Sequence, residues 1–214
     1  MIKYIKITLL CFAFNSICIA QSSLDVSKLK DLEIYLNEEI RNNKAAGIEA
    51  LIYHKGEIVW HEAYGYSSLQ DNLPLEKNSI YYIQSMTKPI MSVAIMQLIE
   101  KGKLRLDDNA SKYYPPLKKL EVIEDINTGI YGPTVDVKYP ITIRQLLTHT
   151  AGLSHGLEEN IFDQQLFKLM YNDLFDPAEY DILEERVEKL MQVPLIGQPG
   201  EQWYYSAAPD ILAL

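Results

Sequence analysis

Cysteine is nearly missing. The 214 residues hold two, Cys11 and Cys18, and both fall within the first twenty. After those twenty, no thiol is left to act as a nucleophile, to ligate zinc or to form a disulfide. Basic residues are also in short supply, with twenty Lys and Arg against twenty-nine Asp and Glu and a formal charge of −9. Lys3 and Lys6 are the only charged residues of the first twenty, so the remainder carries −11. That balance argues against a nucleic-acid partner, because phosphate backbones call for a basic face. Histidines number four. His149 and His155 stand six apart without the Cys or carboxylate array of a zinc site, so no metal is expected. Beyond residue 20 no run is long and apolar enough to cross roughly 30 Å of hydrocarbon, so no transmembrane segment is expected there. Internal repeats and low-complexity tracts are absent too. What remains is ordinary globular composition, 48% hydrophobic and 23% charged, enough for one good-sized domain or two small ones.

The first twenty residues are composed like a secretory signal. Lys3 and Lys6 supply the basic start, and Ile7 to Phe14, with Thr8 inside it, is an apolar stretch too short to span a bilayer. Cys18-Ile19-Ala20 puts small residues at the two positions a signal peptidase reads, so cleavage before Gln21 is expected. An acylated Cys18 is the alternative, although Asn15-Ser16-Ile17 fits a lipobox poorly. Both routes place the product in a periplasm or outside the cell. That compartment would permit disulfides, but a product cleaved before Gln21 has no cysteine to form one.

Periodicity predicts an amphipathic helix over Asp25–Asn42, with Val26, Leu29, Leu32 and Ile40 near helical spacing and charges between them. Ile48–Tyr53 and Glu57–Tyr64, joined by Lys55-Gly56, predict a β-hairpin. Asp71–Lys77, which contains Pro74, reads as a polar connection. From Ser85 the sequence turns apolar on all sides, through Ile90, Met91, Val93, Ala94, Ile95, Met96, Leu98 and Ile99, up to Glu100. Such a helix is expected to be buried, with Pro89 in its first turns and Gly102 at its end. Thr142-Ile143-Arg144-Gln145 has the form of a capping box for a short helix that stops by Gly152. Asp107–Pro140 between them reads as mostly loop. Pro177–Met191 predicts another amphipathic helix, and a further helix begins near Ala207. A helix, a hairpin and then a run of helices make an α+β protein. A lone hairpin is marginal, and the strands it needs are not visible in the remaining sequence.

Ser85-Met86-Thr87-Lys88 sets a hydroxyl and an amine three residues apart, on one face of a helix. An amine so placed can take the hydroxyl proton if an apolar surround lowers its pKa. The backbone N–H groups of a helix N-terminus would lie where an oxyanion forms. The four-residue pattern has little specificity, since Ser27-Lys28-Leu29-Lys30 matches it on an exposed-looking helix. Taken alone, Ser85 could equally be a helix cap and Lys88 a solvated side chain.

The surrounding segments carry more. Tyr82-Ile83-Gln84-Ser85-Met86-Thr87-Lys88-Pro89 resembles the nucleophile segment of the β-lactamase-like serine hydrolases, which include class C β-lactamases, D-alanyl-D-alanine peptidases and family VIII carboxylesterases. Leu104-Arg105-Leu106-Asp107-Asp108 resembles the exit from their nucleophile helix. Leu146-Leu147-Thr148-His149-Thr150-Ala151-Gly152-Leu153 is similar to a second segment, and Pro199-Gly200-Glu201-Gln202-Trp203-Tyr204-Tyr205-Ser206 to the stretch bearing the second catalytic motif. All stand in the family's order, between about Ile48 and Leu214.

The resemblance implies a β-lactamase/transpeptidase-like fold, an antiparallel sheet flanked by helices with a helical subdomain. It makes Ser85 the nucleophile, Lys88 its base and Tyr205, rather than the adjacent Tyr204, the partner that shuttles the proton. His149 falls in a structural segment. The motif's third place, usually Asn in lactamases and peptidases, is Ala207, which cannot hydrogen-bond a substrate amide and leans the resemblance toward the esterases. The third motif, on a C-terminal strand, has no match. Residues 21–214 are therefore expected to be the N-terminal part of such a domain and to express poorly alone. A small-molecule ester or amide is the implied substrate, hydrolysed through acyl-Ser85 without cofactor or metal. An ester ranks ahead of a β-lactam or peptide, and a non-catalytic periplasmic binding protein on the same fold is the remaining alternative.

Overall fold

The computed structural model describes residues 25–171 and 182–214. The leader expected over residues 1–20 lies outside them, as do the first residues of the helix expected over 177–191. The chain divides into two compact units, Met1–Tyr82 and Ile83–Leu214.

In the first unit a 3-10 turn, Val26–Lys28, leads into helix α1, Leu29–Arg41. Asp25 starts it by accepting hydrogen bonds from the Ser27 amide and hydroxyl, at 3.1 and 2.5 Å. Ser27 is thereby tied to a helix start and Lys30 is exposed, so this second Ser-x-x-Lys pair is a solvated face. Strands β1, Gly47–His54, and β2, Glu57–Ser68, form the expected hairpin. Lys55 and Gly56 both have positive φ, 51° and 92°, as a two-residue type I′ turn requires. A third strand, β3, Leu73–Pro74, pairs with β2 where the sequence suggested only a polar connection. Two residues that include proline look like a turn, yet proline is tolerated on an edge strand. Gly65 lets β2 bend there, because at its φ of 76° an added Cβ would strike the Ala46 carbonyl. Among the described residues no strand pairs with the outer edge of β1.

In the second unit a 3-10 turn, Gln84–Met86, opens helix α2, Thr87–Glu100. Gly102 follows its end with a φ of 66°. Strands β4, Val122–Ile123, and β5, Thr134–Val135, make a short ladder inside the stretch expected to be mostly loop. Helices α3, Ile143–Leu147, α4, Ile161–Met170, α5, Leu183–Leu190, and α6, Ala208–Leu212, complete it. The core gathers Leu146, Phe162, Leu166, Val187, Leu195 and Ala208, all nearly inaccessible. The capping box of α3 is present: Thr142 Oγ1 accepts from the Gln145 amide and Gln145 Oε1 from the Thr142 amide, at 3.2 and 2.9 Å.

Two expectations need correcting here. Helix α4 has no counterpart among the elements read from sequence, although Asn160, which caps it by accepting from the Asp163 amide at 2.8 Å, was a usable start signal. Helix α2 is not buried on all sides. Ile95 is its one buried residue, while Ile90, Val93 and Met96 are 59%, 59% and 47% exposed. The described residues of this unit cover only the side bearing Ile95 and Ile99. Among the described residues no helix is long and apolar enough to cross a membrane.

Candidate active site

Ser85 sits in the Gln84–Met86 turn, ahead of the helix that carries Lys88. Its predecessor Gln84 has a φ of 50°, a left-handed conformation that costs a residue with a Cβ roughly 1–2 kcal/mol. Nothing in the residue type announces this strain. The turn leaves Ser85 exposed, and Lys88, one helical turn on, is half-buried. Its Nζ donates to Ser85 Oγ at the long distance of 3.5 Å.

Tyr205 comes from the opposite end of the unit, three residues before α6. Its hydroxyl donates to Ser85 Oγ at 2.7 Å, and Lys88 Nζ stands 4.8 Å from its ring centroid. The structure therefore brings together all three side chains singled out from the sequence. Tyr204 does not compete, since its ring packs against Gly197. Burial pushes the Tyr205 phenol upward, but its hydrogen bonds with Ser85 and Lys88 and the Lys88 charge outweigh that and hold it below the ordinary tyrosine value. A phenol so placed can give up and regain a proton next to the serine oxygen.

Tyr205 is held there by its neighbours. His149, with a φ of 57°, accepts at Nδ1 from the Ser206 amide at 3.2 Å and meets the Ser206 hydroxyl at 2.9 Å. The His149 carbonyl accepts from the Tyr204 amide, and the Thr150 carbonyl from Gly200. These bonds join the segment after α3 to the segment before α6 on either side of Tyr205. Burial first, then the Lys88 charge, depresses the His149 pKa, in keeping with an acceptor Nδ1. Gly152 is required in the same segment, since at φ 78° a Cβ would overlap the Gly197 carbonyl. Ala207 is 2% exposed and caps α6 with its backbone. Glu201 pairs with Lys138 at 2.7 Å and Asp210 with Arg186 at 3.0 Å. Among the described residues no three His, Cys, Asp or Glu side chains converge as a metal site requires.

The Beta-lactamase family model matches residues 34–213. The chain belongs to this family. One relative, esterase EstB of Burkholderia gladioli, is 29% identical over 195 residues, which are 89% of this chain and 45% of the esterase. Acyltransferase calJ of Penicillium decumbens is 30% identical over 158 residues, 72% of this chain and 35% of its own. Among solved structures, EstCE1, a hydrolase with promiscuous acyltransferase activity, matches with a TM-score of 0.69 at 27% identity, covering 89% of this chain and 47% of its own. Simvastatin synthase LovD of Aspergillus terreus shares the fold, with a TM-score of 0.68 at 20% identity over 86% and 45% of the two chains. The α+β expectation thus holds, with the helices and antiparallel strands of the family's fold. The chain spans about half the length of the family members it matches.

Proposed function

We propose that the protein is a secreted serine hydrolase that cleaves a carboxylic ester through an acyl-Ser85 intermediate. The observation that carries this is the 2.7 Å contact between the Tyr205 hydroxyl and Ser85 Oγ, with the Lys88 ammonium beside both. In the first half-reaction Ser85 Oγ bonds to the ester carbonyl carbon as its proton passes to the ionised Tyr205 oxygen. The bond to the alcohol oxygen then breaks, and that oxygen leaves with the same proton. In the second half, water gives its proton to Tyr205 and its oxygen to the acyl carbon. Ser85 departs and recovers the proton. The cycle balances with water as the only co-substrate.

The two distances favour Tyr205 as the immediate proton acceptor and Lys88 as the cation that stabilises its ionised form. The resemblance made Lys88 the base of Ser85, helped by Tyr205 in shuttling the proton. Ester rather than lactam or peptide chemistry is favoured by Ala207, which is buried and carries no group for a substrate amide. The names of EstB and EstCE1, an esterase and a hydrolase with acyltransferase activity, agree with this preference. The leader read over residues 1–20 supports a periplasmic or extracellular site of action.

The test is intact mass after incubation with a fluorophosphonate, on the parent and on Ser85→Ala. An adduct on the parent alone is expected, followed by turnover of a simple ester in preference to a chromogenic cephalosporin. Equal labelling of both proteins would remove Ser85 from the role.

A further inference from the structure

Tyr205 is backed by a ladder of rings that the acyl-transfer chemistry does not itself use. His155 lies parallel to it, with centroids 5.5 Å apart and planes at 5°. Tyr171 lies parallel to His155 in turn, at 5.8 Å and 8°. The Tyr171 hydroxyl is 2.9 Å from His155 Nδ1, and Arg186 Nη2 donates to that same hydroxyl at 2.6 Å. A guanidinium has donors only, so Tyr171 accepts from Arg186.

Both ends of the ladder are anchored. The Arg186 guanidinium, from α5, lies 4.7 Å from the Tyr171 ring centroid. Its Nε is 3.0 Å from Asp210 in α6, an ion pair rather than an aligned hydrogen bond. The loop bearing His155 is fixed separately by Asp163, which is fully buried. Asp163 accepts from the Ser154 hydroxyl and from Asn160 Nδ2, and Ser154 Oγ accepts from the Gly156 amide. On another side of Tyr205, His149 stands at 5.1 Å. A tyrosine placed between two such rings cannot swing freely away from the serine oxygen. Burial, with the Lys88 and Arg186 charges, outweighs the opposing pull of Asp210 and a backbone hydrogen bond and keeps the His155 pKa low. Its surroundings thus favour the neutral form of the ring against Tyr205.

We propose that His155 is a positioning residue for Tyr205, itself held by Tyr171 and Arg186, and that this ladder fixes the phenol over Ser85. The proposal rests on the acyl-transfer role given to Tyr205 above. The test is the rate of Ser85 labelling by a fluorophosphonate on the full chain, read for the parent, His155→Ala, His155→Phe, Tyr205→Phe and the His155→Ala/Tyr205→Phe double variant.

Removing the stacking ring should slow labelling about ten- to hundredfold, the scale of a small misplacement of a reacting group. His155→Phe, which restores a flat ring, should recover most of that loss. In the Tyr205→Phe background His155→Ala should cost nothing further, because its effect travels through Tyr205. Labelling of His155→Ala at the parent rate overturns the proposal and leaves the hydrolase standing. So does an equal fold-loss in both backgrounds, the mark of a merely structural role. A parent that takes no label at Ser85 overturns the hydrolase reading and this one with it.

Discussion

Replacing Lys88 separates its charge from its basicity. Lys88 Nζ is 4.8 Å from the Tyr205 ring centroid and 3.5 Å from Ser85 Oγ. A positive charge at about that distance from a phenolate is worth about 3 kcal/mol at an effective dielectric near 20, and under about 1 kcal/mol in bulk water. Both side chains are half-buried, so solvent screening leaves roughly 1–2 kcal/mol. That corresponds to a loss of about five- to thirtyfold in rate wherever Tyr205 is mostly neutral. In the proposed cycle the active form of the phenol is the anion, and removing a cation raises its pKa. The acid limb of the labelling rate in Lys88→Met therefore moves to higher pH, and the parent and variant rates converge at the alkaline end. Lys88→Arg keeps the cation but cannot take a proton, because a guanidinium stays charged. If Lys88 acts through its charge, the Arg variant retains most of the parent rate. The assay is fluorophosphonate labelling across a pH series, followed by intact mass, with thermal melts to confirm folding. If Arg and Met lose rate equally, by one factor at every pH, then Lys88 is itself the proton acceptor and the charge argument is refuted.

Three further outcomes are expected. Gln84→Gly relieves the left-handed backbone and should raise stability by up to about 1 kcal/mol, offset in part by the freer unfolded chain; a clear fall in melting temperature would contradict the strain. Asp163→Ala leaves the Ser154 hydroxyl and the Asn160 amide without their buried acceptor, costing about 1–3 kcal/mol in a denaturant titration. It should also slow Ser85 labelling, because the His155 loop loosens; an unchanged midpoint would show that Asp163 does not hold that loop. Stability should also fall with acidification. His149 and His155 are held below the ordinary value of 6.5, chiefly by burial, so below that pH the unfolded chain binds protons the folded one refuses. The loss begins at the unfolded value and continues down to the folded ones. His155→Phe should flatten this acid limb of the melting curve, and a parent insensitive to pH there would speak against neutral rings.

The meeting of Ser85, Lys88 and Tyr205 is legible in the sequence because the chain presents the family's motifs in a set order. The hairpin is legible for a local reason, that Lys55-Gly56 supplies the two positive φ values. What supports Tyr205 follows no such rule. His155, Tyr171, Arg186 and Asp210 meet across gaps of sixteen, fifteen and twenty-four residues, a pattern no periodicity encodes. Position 84 is silent because a glutamine shows no preference for the conformation it is made to adopt. Helix α2 shows the opposite failure, a strong signal with an incomplete meaning. Its largely apolar run states how much surface wants cover, and only tertiary contacts decide how much receives it. Within Ile83–Leu214 the cover reaches Ile95 and stops short of Ile90, Val93 and Met96.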